Sequence, residues 1–269
     1  MELGLRGRTA VVTGASKGIG FGIAKVLADE GVNIVMLSRT EADLTAAAET
    51  LRAAHNVSVL AIPTDVTDTE SVRAAAAQVK SDPTFGTVNI LVNNAGSAIQ
   101  RYDRQIMWDD SDWEHDIQVK IMGALRMVRE FHPLIPHDGT GRIVQITGVA
   151  GMTTWGPALT HGINNSGLNH MVNYLAADMA KENITVNSVV PGLISTEWRQ
   201  MWADGMAEKD GITREEFLER YCKSQGIILG RWGDSEEIGD VVAFVASDRA
   251  RYMTGVKIPV DGGVTINPR

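Results

Sequence analysis

Short apolar runs alternate with amphipathic segments along the whole chain. The runs are almost continuously apolar, whereas the amphipathic segments place apolar residues three and four positions apart, as on one helix face. Continuous apolar runs are typical of strands that helices cover on both faces. The predicted strands are residues 9–12, 33–37, 57–62, 89–92, 142–146, 185–190 and 257–260. The alternation therefore predicts an α/β protein built on a parallel sheet.

Capping signals mark the ends of several predicted helices. Gly31 is expected to terminate the first helix. Thr67 and Glu70 have the spacing of a capping box, and Ser111 and Glu114 repeat that spacing before a long apolar stripe. Helices are predicted over residues 19–30, 41–54, 111–134, 159–181 and 234–247.

Residues 193–230 interrupt this alternation between the sixth strand and the last helix. Their large apolar and aromatic residues are Trp198, Met201, Trp202, Met206, Phe217 and Tyr221. The segment is either an ordinary helical excursion or a lid over an apolar or aromatic substrate. We favour the lid, because open α/β sheets bind ligands beyond the carboxyl ends of their strands. The rest of the chain contains no linker or repeat, so residues 1–269 are predicted to form a single domain.

Composition narrows the classes of protein that remain. The net charge of −8 and the absence of a basic block argue against a nucleic-acid surface. Cys222 is the only cysteine, so an internal disulfide is excluded and a reducing compartment fits. The charged amino terminus lacks an apolar signal region, and no apolar stretch is long enough to span a membrane. We therefore expect a soluble, cytoplasmic protein without a membrane partner.

A glycine-rich loop, T-G-A-S-K-G-I-G at residues 13–20, joins the first strand to the first helix. Gly14 permits a tight turn, while Gly18 and Gly20 allow close approach of backbone and phosphate. Such a loop is either a turn that binds nothing or a dinucleotide site, and the flanking strand and helix favour the site. Its expected cofactor contacts are Gly14, Ser16, Lys17, Gly18, Ile19 and Gly20.

The fourth strand ends in Asn93-Asn94-Ala95-Gly96. Together with T-G-x-x-x-G-x-G, this tetrapeptide resembles the short-chain dehydrogenase/reductase family. The further matches are Asp65-Val66, Val186-Asn187, Pro191-Gly192 and Asp261-Gly262-Gly263. The resemblance covers essentially the whole chain. It implies a doubly wound, Rossmann-like sheet of seven parallel strands, a nicotinamide cofactor, and a homodimer or homotetramer assembled through the two long helices.

The resemblance also implies roles for residues outside the glycine loop. Asp65 and Val66 would hold the adenine, Asn93 would support the loop beneath the cofactor, and Thr196 would touch the carboxamide. The remaining positions expected to contact the cofactor are Ala95, Gly96, Pro191 and Gly192.

Cofactor choice depends on the end of the second strand. An acidic residue there would bind the ribose of NAD, but this chain has Ser38 and Arg39. Lys17 adds a second cation, and a 2′-phosphate requires cations. The two bases are either solvated surface charges or the phosphate site, and the missing acid favours NADP(H).

All four catalytic positions of the family are changed. Tyr is replaced by His161, Lys by Asn165, Ser by Gly148, and the helix Asn by Lys120. Imidazole has a reference pKa of about 6.5 and can move protons near neutrality without a neighbouring ammonium. His161 is therefore either the proton-transfer group, which we favour, or a polar residue at the start of a helix.

Other polar residues are candidates for assisting roles. Thr147 or Asn164 could orient a carbonyl, and Tyr102 and Asp103 lie on a loop expected to border the substrate. Lys120 either returns a positive charge to the pocket or points away and pairs with Glu114 or Asp116. We favour the second alternative.

We predict no catalytic metal. His161 and His170 lie on opposite faces of one helix, and His132 and His137 flank prolines. The favoured function is an NADP(H)-dependent oxidoreductase acting on a carbonyl or alcohol of an apolar or aromatic small molecule. The alternatives are a redox-neutral isomerase, dehydratase or lyase, and a non-catalytic NADP(H)-binding protein.

Overall fold

The computed structural model describes residues 2–96, 104–154 and 158–267. Within these ranges, parallel strands form a single seven-stranded sheet in the order β3-β2-β1-β4-β5-β6-β7. They are β1 (Thr9–Thr13), β2 (Asn33–Ser38), β3 (Val59–Pro63), β4 (Ile90–Asn93), β5 (Arg142–Ile146), β6 (Thr185–Pro191) and β7 (Lys257–Val260). The predicted doubly wound α/β fold is therefore confirmed.

Helices cover both faces of this sheet. The α-helices in the described ranges are α1 (Gly18–Asp29), α2 (Glu41–Ala54), α3 (Thr69–Ser81), α4 (Asp110–Ile117), α5 (Gly123–Phe131), α6 (Leu159–Met179), α7 (Glu197–Asp210), α8 (Arg214–Ser224) and α9 (Ser235–Ala246). Val12 packs with α1, α2 and α9 on one face, and its neighbour Val11 packs with α3, α5 and α6 on the other. Successive strand residues therefore supply two separate cores.

The strand order reverses between β1 and β4. In doubly wound sheets the crevice beyond the carboxyl ends of the strands at this switch point is the usual ligand site. The glycine loop follows β1 and the Asn-Asn-Ala-Gly segment follows β4, so both motifs lie at this crevice.

Two predicted helix caps are wrong. The Asp68 side chain, not Thr67, caps α3 by accepting a hydrogen bond from the Glu70 N–H. The Thr67 N–H and hydroxyl instead donate to Asp65 Oδ1 at 2.9 and 2.8 Å. The long helix begins at Asp110, so its N-cap residue is Asp109, whose side chain makes no capping hydrogen bond. Ser111 lies inside the helix, and Ser111 and Glu114 therefore do not form a capping box. Gly31 has a φ of +79° and does terminate α1 as predicted.

The long helix predicted over residues 111–134 contains a break in its hydrogen-bond pattern. A π-helical turn, Gln118–Met122, joins α4 to α5, and a short 3₁₀ turn, His132–Leu134, follows. A π turn is wider than an α turn and rotates the residues before it relative to those after it. Lys120 lies in the middle of this turn.

The insertion at residues 193–230 folds as α7 and α8 around a hydrophobic cluster that it shares with residues later in the chain. Phe217, Cys222 and Trp232 are buried there, with Trp202 and Tyr221 packed against them. The Trp202 ring lies with its centroid 6.4 Å from that of Trp232 in a stacked arrangement. The segment is thus a folded pair of helices within the domain. Within the described ranges, no helix has both the length and the apolar character needed to cross a membrane.

Candidate active site

The backbone of the glycine loop folds back on itself so tightly that a side chain at its glycine positions would clash. Gly14 and Gly18 have φ angles of +65° and +57°, which favour glycine. A Cβ atom on Gly20 would lie 2.1 Å from the carbonyl oxygen of Gly14. Helix α1 begins after Lys17 with no side-chain cap and with no acidic residue in its first turn. Its N-terminal N–H groups and dipole therefore suit an anion such as a pyrophosphate.

Hydrogen bonds join the loop after β4 to the glycine loop. The N–H groups of Asn94 and Ala95 donate to Thr13 Oγ1 at 2.9 and 3.0 Å. The Asn94 side-chain amide donates to the carbonyl oxygens of Thr13 and Gly14 at 2.9 and 3.3 Å. Asn93 was expected to support this loop, but its buried amide has no hydrogen-bond partner among the described residues. The support comes from Asn94 and Thr13 instead.

A groove of about 240 Å³ runs along the carboxyl ends of β1, β2 and β3. It brings together nine of the predicted cofactor contacts, namely Gly14, Ser16, Lys17, Ser38, Arg39, Asp65, Val66, Ala95 and Gly96. Its lining also includes Leu37, Thr64, Asn94 and Val119, which the sequence analysis missed. The Ser16 and Ser38 hydroxyls lie 3.0 Å apart, so they link the glycine loop to the end of β2.

The remaining predicted contacts lie around the groove. A Cβ atom on Gly18 would lie 3.2 Å from Thr196 Cγ2, so Thr196 lies against the glycine loop. Pro191 is the buried last residue of β6, and Gly192 packs against the backbone of Asp261. Ile19, in the first turn of α1, packs against the core on that face of the sheet. These residues help to shape the site from the β6 side.

Three of the changed catalytic positions lie at one corner. A Cβ atom on Gly148 would be 3.3 Å from Asn165 Nδ2 and 3.4 Å from His161 Nε2. Gly148 has a φ of 178°, an ordinary extended conformation, so the backbone itself does not require glycine there. Asn165 Nδ2 donates to the His161 carbonyl oxygen at 2.8 Å. Even a methyl group at residue 148 would therefore crowd the Asn165 amide and the His161 imidazole, so the glycine lets these two side chains pack close to the end of β5.

The surroundings of His161 favour its uncharged form. His161 is exposed to solvent at the residue level, so water can screen part of the effect of its surroundings. Desolvation lowers the pKa of His161 below its usual 6.5, and the positive charge of Lys120 lowers it further, while Asp116 opposes both. The reference value near neutrality that the sequence suggests is therefore too high for this imidazole. Its lowered pKa favours proton acceptance at neutral pH.

Lys120 points inward, so the favoured expectation that it points away from the pocket is wrong. The π turn directs its side chain into the protein, where it is buried and donates to the Ile146 carbonyl oxygen at 3.4 Å. A Cβ atom on Gly96 would lie 3.2 Å from Lys120 Cε. Burial lowers the pKa of Lys120 from 10.5 to about 8, and the charge of Asp116 partly opposes this.

A second small cavity, of about 10 Å³, borders Lys120 on its inner side. Asn93 and Gln145 line it, and neither buried amide has a hydrogen-bond partner among the described residues. Buried amides without partners are uncommon and mark polar sites. The Lys120 ammonium therefore lies between these two unpaired amides and the cofactor groove.

Thr147 and Asn164 do not serve the corner as predicted. The Thr147 hydroxyl donates to Asn169 Oδ1 at 3.1 Å in the interior and cannot replace the missing serine. The Asn164 amide donates to Asp116 Oδ2 at 2.8 Å, which ties α6 to α4. Asp116 is thus a site residue that the sequence analysis named only as an alternative partner of Lys120. The sequence feature that points to Asp116 is its position four residues, about one helical turn, before Lys120.

Tyr102 and Asp103, proposed to border the substrate, lie outside the described residues.

The chain is similar to known proteins over nearly its whole length. Residues 14–265 match the family model described as enoyl-(acyl carrier protein) reductase. The chain is 33% identical over 263 residues to oxidoreductase UcpA of Salmonella typhimurium, covering 97% of this chain and 96% of UcpA. It is 31% identical over 258 residues to 3-oxoacyl-[acyl-carrier-protein] reductase FabG of Staphylococcus aureus, covering 96% of this chain and 98% of FabG.

Solved structures agree with these matches. L-sorbose reductase from Gluconobacter frateurii, in complex with NADPH and L-sorbose, has a TM-score of 0.91 and 30% identity, covering 100% of both chains. A short-chain oxidoreductase from Pseudomonas aeruginosa PAO1, with NADPH bound and an atypical catalytic centre, has a TM-score of 0.85 and 28% identity. That match covers 95% of this chain and 96% of the other.

Proposed function

Because the chain belongs to the short-chain dehydrogenase/reductase family, we propose that it is an NADP(H)-dependent oxidoreductase with a rebuilt proton-transfer site. Its substrate would be an alcohol or carbonyl of an apolar or aromatic small molecule. The observation that carries the proposal is that His161, at the family's proton-transfer position, lies with its Nε2 atom beside Gly148 and Asn165, the other changed positions of this corner. Gly96 connects this corner to the cofactor groove, because it lines the groove and approaches Lys120.

The groove fits a phosphorylated dinucleotide. The uncapped start of α1 would hold the pyrophosphate, while Lys17 and Arg39 provide cations for a 2′-phosphate. Two structural relatives were solved with NADPH, which supports the same cofactor here. When bound, the nicotinamide would supply or accept the hydride.

The charges at the corner favour proton acceptance at neutral pH. Neutral His161, which is exposed to solvent, can take the proton of a substrate hydroxyl, as alcohol oxidation requires. Carbonyl reduction would draw its proton from the small protonated fraction of His161 and should therefore accelerate as pH falls. The negative charge of Asp116 partly offsets the repulsion between a protonated His161 and the Lys120 ammonium.

The insertion at residues 193–230 is proposed to cover the substrate. Arg199 on α7 contributes to the field at His161, so α7 approaches the corner. Trp198 and Met201 of the same helix are 43% and 73% exposed, which leaves apolar surface available to an aromatic or alicyclic substrate. This supports the lid over the ordinary helical excursion.

One experiment separates this function from its alternatives. Purified protein is incubated with NADP⁺ or NADPH and a panel of aromatic and alicyclic alcohols and ketones. Nucleotide absorbance and product mass are followed separately. Equal amounts of product and converted cofactor are expected. Product without net cofactor change would instead identify a redox-neutral enzyme, and nucleotide binding without turnover a binding protein.

Arg39→Asp should weaken NADPH binding by roughly 10- to 100-fold, since each charge-assisted hydrogen bond is worth about 1.5–3 kcal/mol. NADH lacks the 2′-phosphate, so its affinity should change little. Calorimetric titration of both nucleotides tests this. Arg251→Asp, an equal charge change at an exposed position before β7, is the matched control. Tighter binding of NADH than NADPH by the unmodified protein would contradict the cofactor assignment.

We further propose a homodimer or homotetramer assembled through the helices on the α4–α6 side. Ile163 and Tyr174 on α6 are 51% and 69% exposed, and Ile117 on α4 is also exposed. Two-fold assemblies commonly bury such faces. Analytical ultracentrifugation should find a particle of at least twice the 29.1 kDa chain mass. A particle of the single chain mass at assay concentration would refute the proposal.

A further inference from the structure

Two histidines and a glutamate form a cluster at the end of the sheet opposite the candidate active site. His132 lies in the 3₁₀ turn after α5, and His137 lies in the connection to β5. Glu182 lies in the 3₁₀ turn Ala180–Glu182 after α6. All three precede the amino ends of β5 and β6, whereas Gly148 follows the carboxyl end of β5. The proposed oxidoreductase chemistry does not use this cluster.

The donor atoms of the cluster converge. Glu182 Oε2 lies 2.6 Å from His132 Nε2 and 2.9 Å from His137 Nε2. All three donor atoms lie within 4.8 Å of one another. The three side chains are 32%, 53% and 34% exposed for His132, His137 and Glu182, so an ion can reach them from solvent.

The backbone holds these donors in place. Pro133 and Pro136 restrict the segment between the histidines, because each proline fixes its own φ angle. Asn183, in the left-handed conformation with φ +58°, directs its side-chain amide to the His137 carbonyl oxygen at 3.2 Å. The connection before β5 is thereby attached to the end of α6. Binding would require little additional ordering of the chain.

We propose that His132, His137 and Glu182 bind a divalent transition-metal ion, with Zn²⁺ the best match. Two imidazoles and a carboxylate are a ligand set of zinc, and three protein ligands leave the fourth position to water. Bonds of about 2.0–2.1 Å in a tetrahedron place donor atoms roughly 3.3 Å apart. The carboxylate oxygen, at 2.6 and 2.9 Å from the two imidazole nitrogens, therefore needs to withdraw from them by about 0.7 and about 0.4 Å to admit the ion.

The bound ion would join the carboxyl ends of two long helical segments. One carries Lys120 and the other begins near His161, but the metal lies at their far ends. Its expected effect is therefore greater stability of the folded chain, since a ligand that binds only the folded state stabilises it. Turnover should be unaffected.

Zn²⁺ is titrated calorimetrically into the full chain without a polyhistidine tag at neutral pH, and thermal unfolding is followed with and without the ion. One Zn²⁺ per chain and a zinc-dependent rise in Tm are expected. His137→Gln and Glu182→Gln should each weaken binding at least roughly tenfold and remove that rise.

His170→Gln removes an exposed histidine from α6, outside the cluster, and should leave zinc binding and Tm unchanged. The proposal is overturned if the unmodified chain takes up no Zn²⁺ at millimolar concentration. It is also overturned if His137→Gln and Glu182→Gln bind the ion as the unmodified chain does. The cluster would then be an ion-paired surface group. Neither result depends on the proposed oxidoreductase activity.

Discussion

Replacing His161 by phenylalanine is expected to lower kcat by roughly 10²–10⁴, the usual contribution of a general acid or base. The substitution keeps a planar ring but removes both ring nitrogens. Nucleotide affinity should remain nearly unchanged, because the cofactor groove does not include this residue. Steady-state kinetics on the substrate found by the panel, together with NADPH titration, measures the two effects separately.

The pH profile gives this prediction a sign. As a base in alcohol oxidation, His161 should sustain the rate at neutral pH and lose it as pH falls through its lowered pKa, below 6.5. The phenylalanine variant should lose that acid limb. His170→Phe, at an exposed position on the same helix, is the matched control and should retain full rate. Turnover of His161→Phe within a few-fold of the unmodified protein would make the imidazole a bystander.

Restoring the family residues tests the same corner from the opposite direction. His161→Tyr alone should not recover the rate, because Asn165 provides no charge to lower the pKa of a phenol. Adding Asn165→Lys and Gly148→Ser would rebuild the usual trio. The backbone accepts serine at residue 148, but its Cβ would approach two side chains at 3.3 and 3.4 Å. Those neighbours must move by a few tenths of an ångström.

Lys120→Met should stabilise the fold while impairing function. The buried ammonium has a pKa of about 8 against its ordinary 10.5, so the folded chain binds protons less readily than the unfolded chain. This cost is fully present below pH 8 and disappears as pH rises toward 10.5. Removing the cation at neutral pH should therefore raise the free energy of unfolding by roughly 1–3 kcal/mol.

The same variant should change the pH dependence of catalysis. Lys120 helps to lower the pKa of His161, so its removal should move the acid limb of alcohol oxidation toward higher pH. Denaturant unfolding and pH–rate profiles measure the two effects. Lys80→Met, an exposed lysine on α3, should alter neither. Lower stability with an unchanged profile would assign Lys120 a purely structural role.

Much of the fold follows from local patterns in the sequence. The apolar runs located the strands because buried parallel strands have no polar face to interrupt the run. The capping errors arose where neighbouring polar residues compete. Thr67 and Asp68 both have side chains that can cap a helix, but the Thr67 hydroxyl donates to the nearby Asp65 carboxylate instead. Spacing alone cannot resolve that competition.

The site was less accessible to sequence reasoning because it depends on long-range placement. Gly148, His161 and Asn165 could be assigned from their positions relative to the family motifs. The direction of Lys120 depends on a π turn, which has no simple sequence signal. Thr147 was assigned wrongly because its partner, Asn169, lies 22 residues away in sequence. The lowered pKa of His161 likewise reflects desolvation and the charge of Lys120, which is distant in sequence.

Because Lys120 lies in a π turn, the placement of charge in the active site depends on the number of residues in this turn as well as on their identity. A π turn accommodates one more residue than an α turn, and each residue of an α-helix turns by about 100°. Deleting a single residue within Gln118–Met122 and restoring α-helical geometry would rotate α4 by that angle relative to α5. Asp116 would then leave the face it shares with Asn164. A one-codon deletion could thus remodel the electrostatics of this pocket without substituting any of its charged residues.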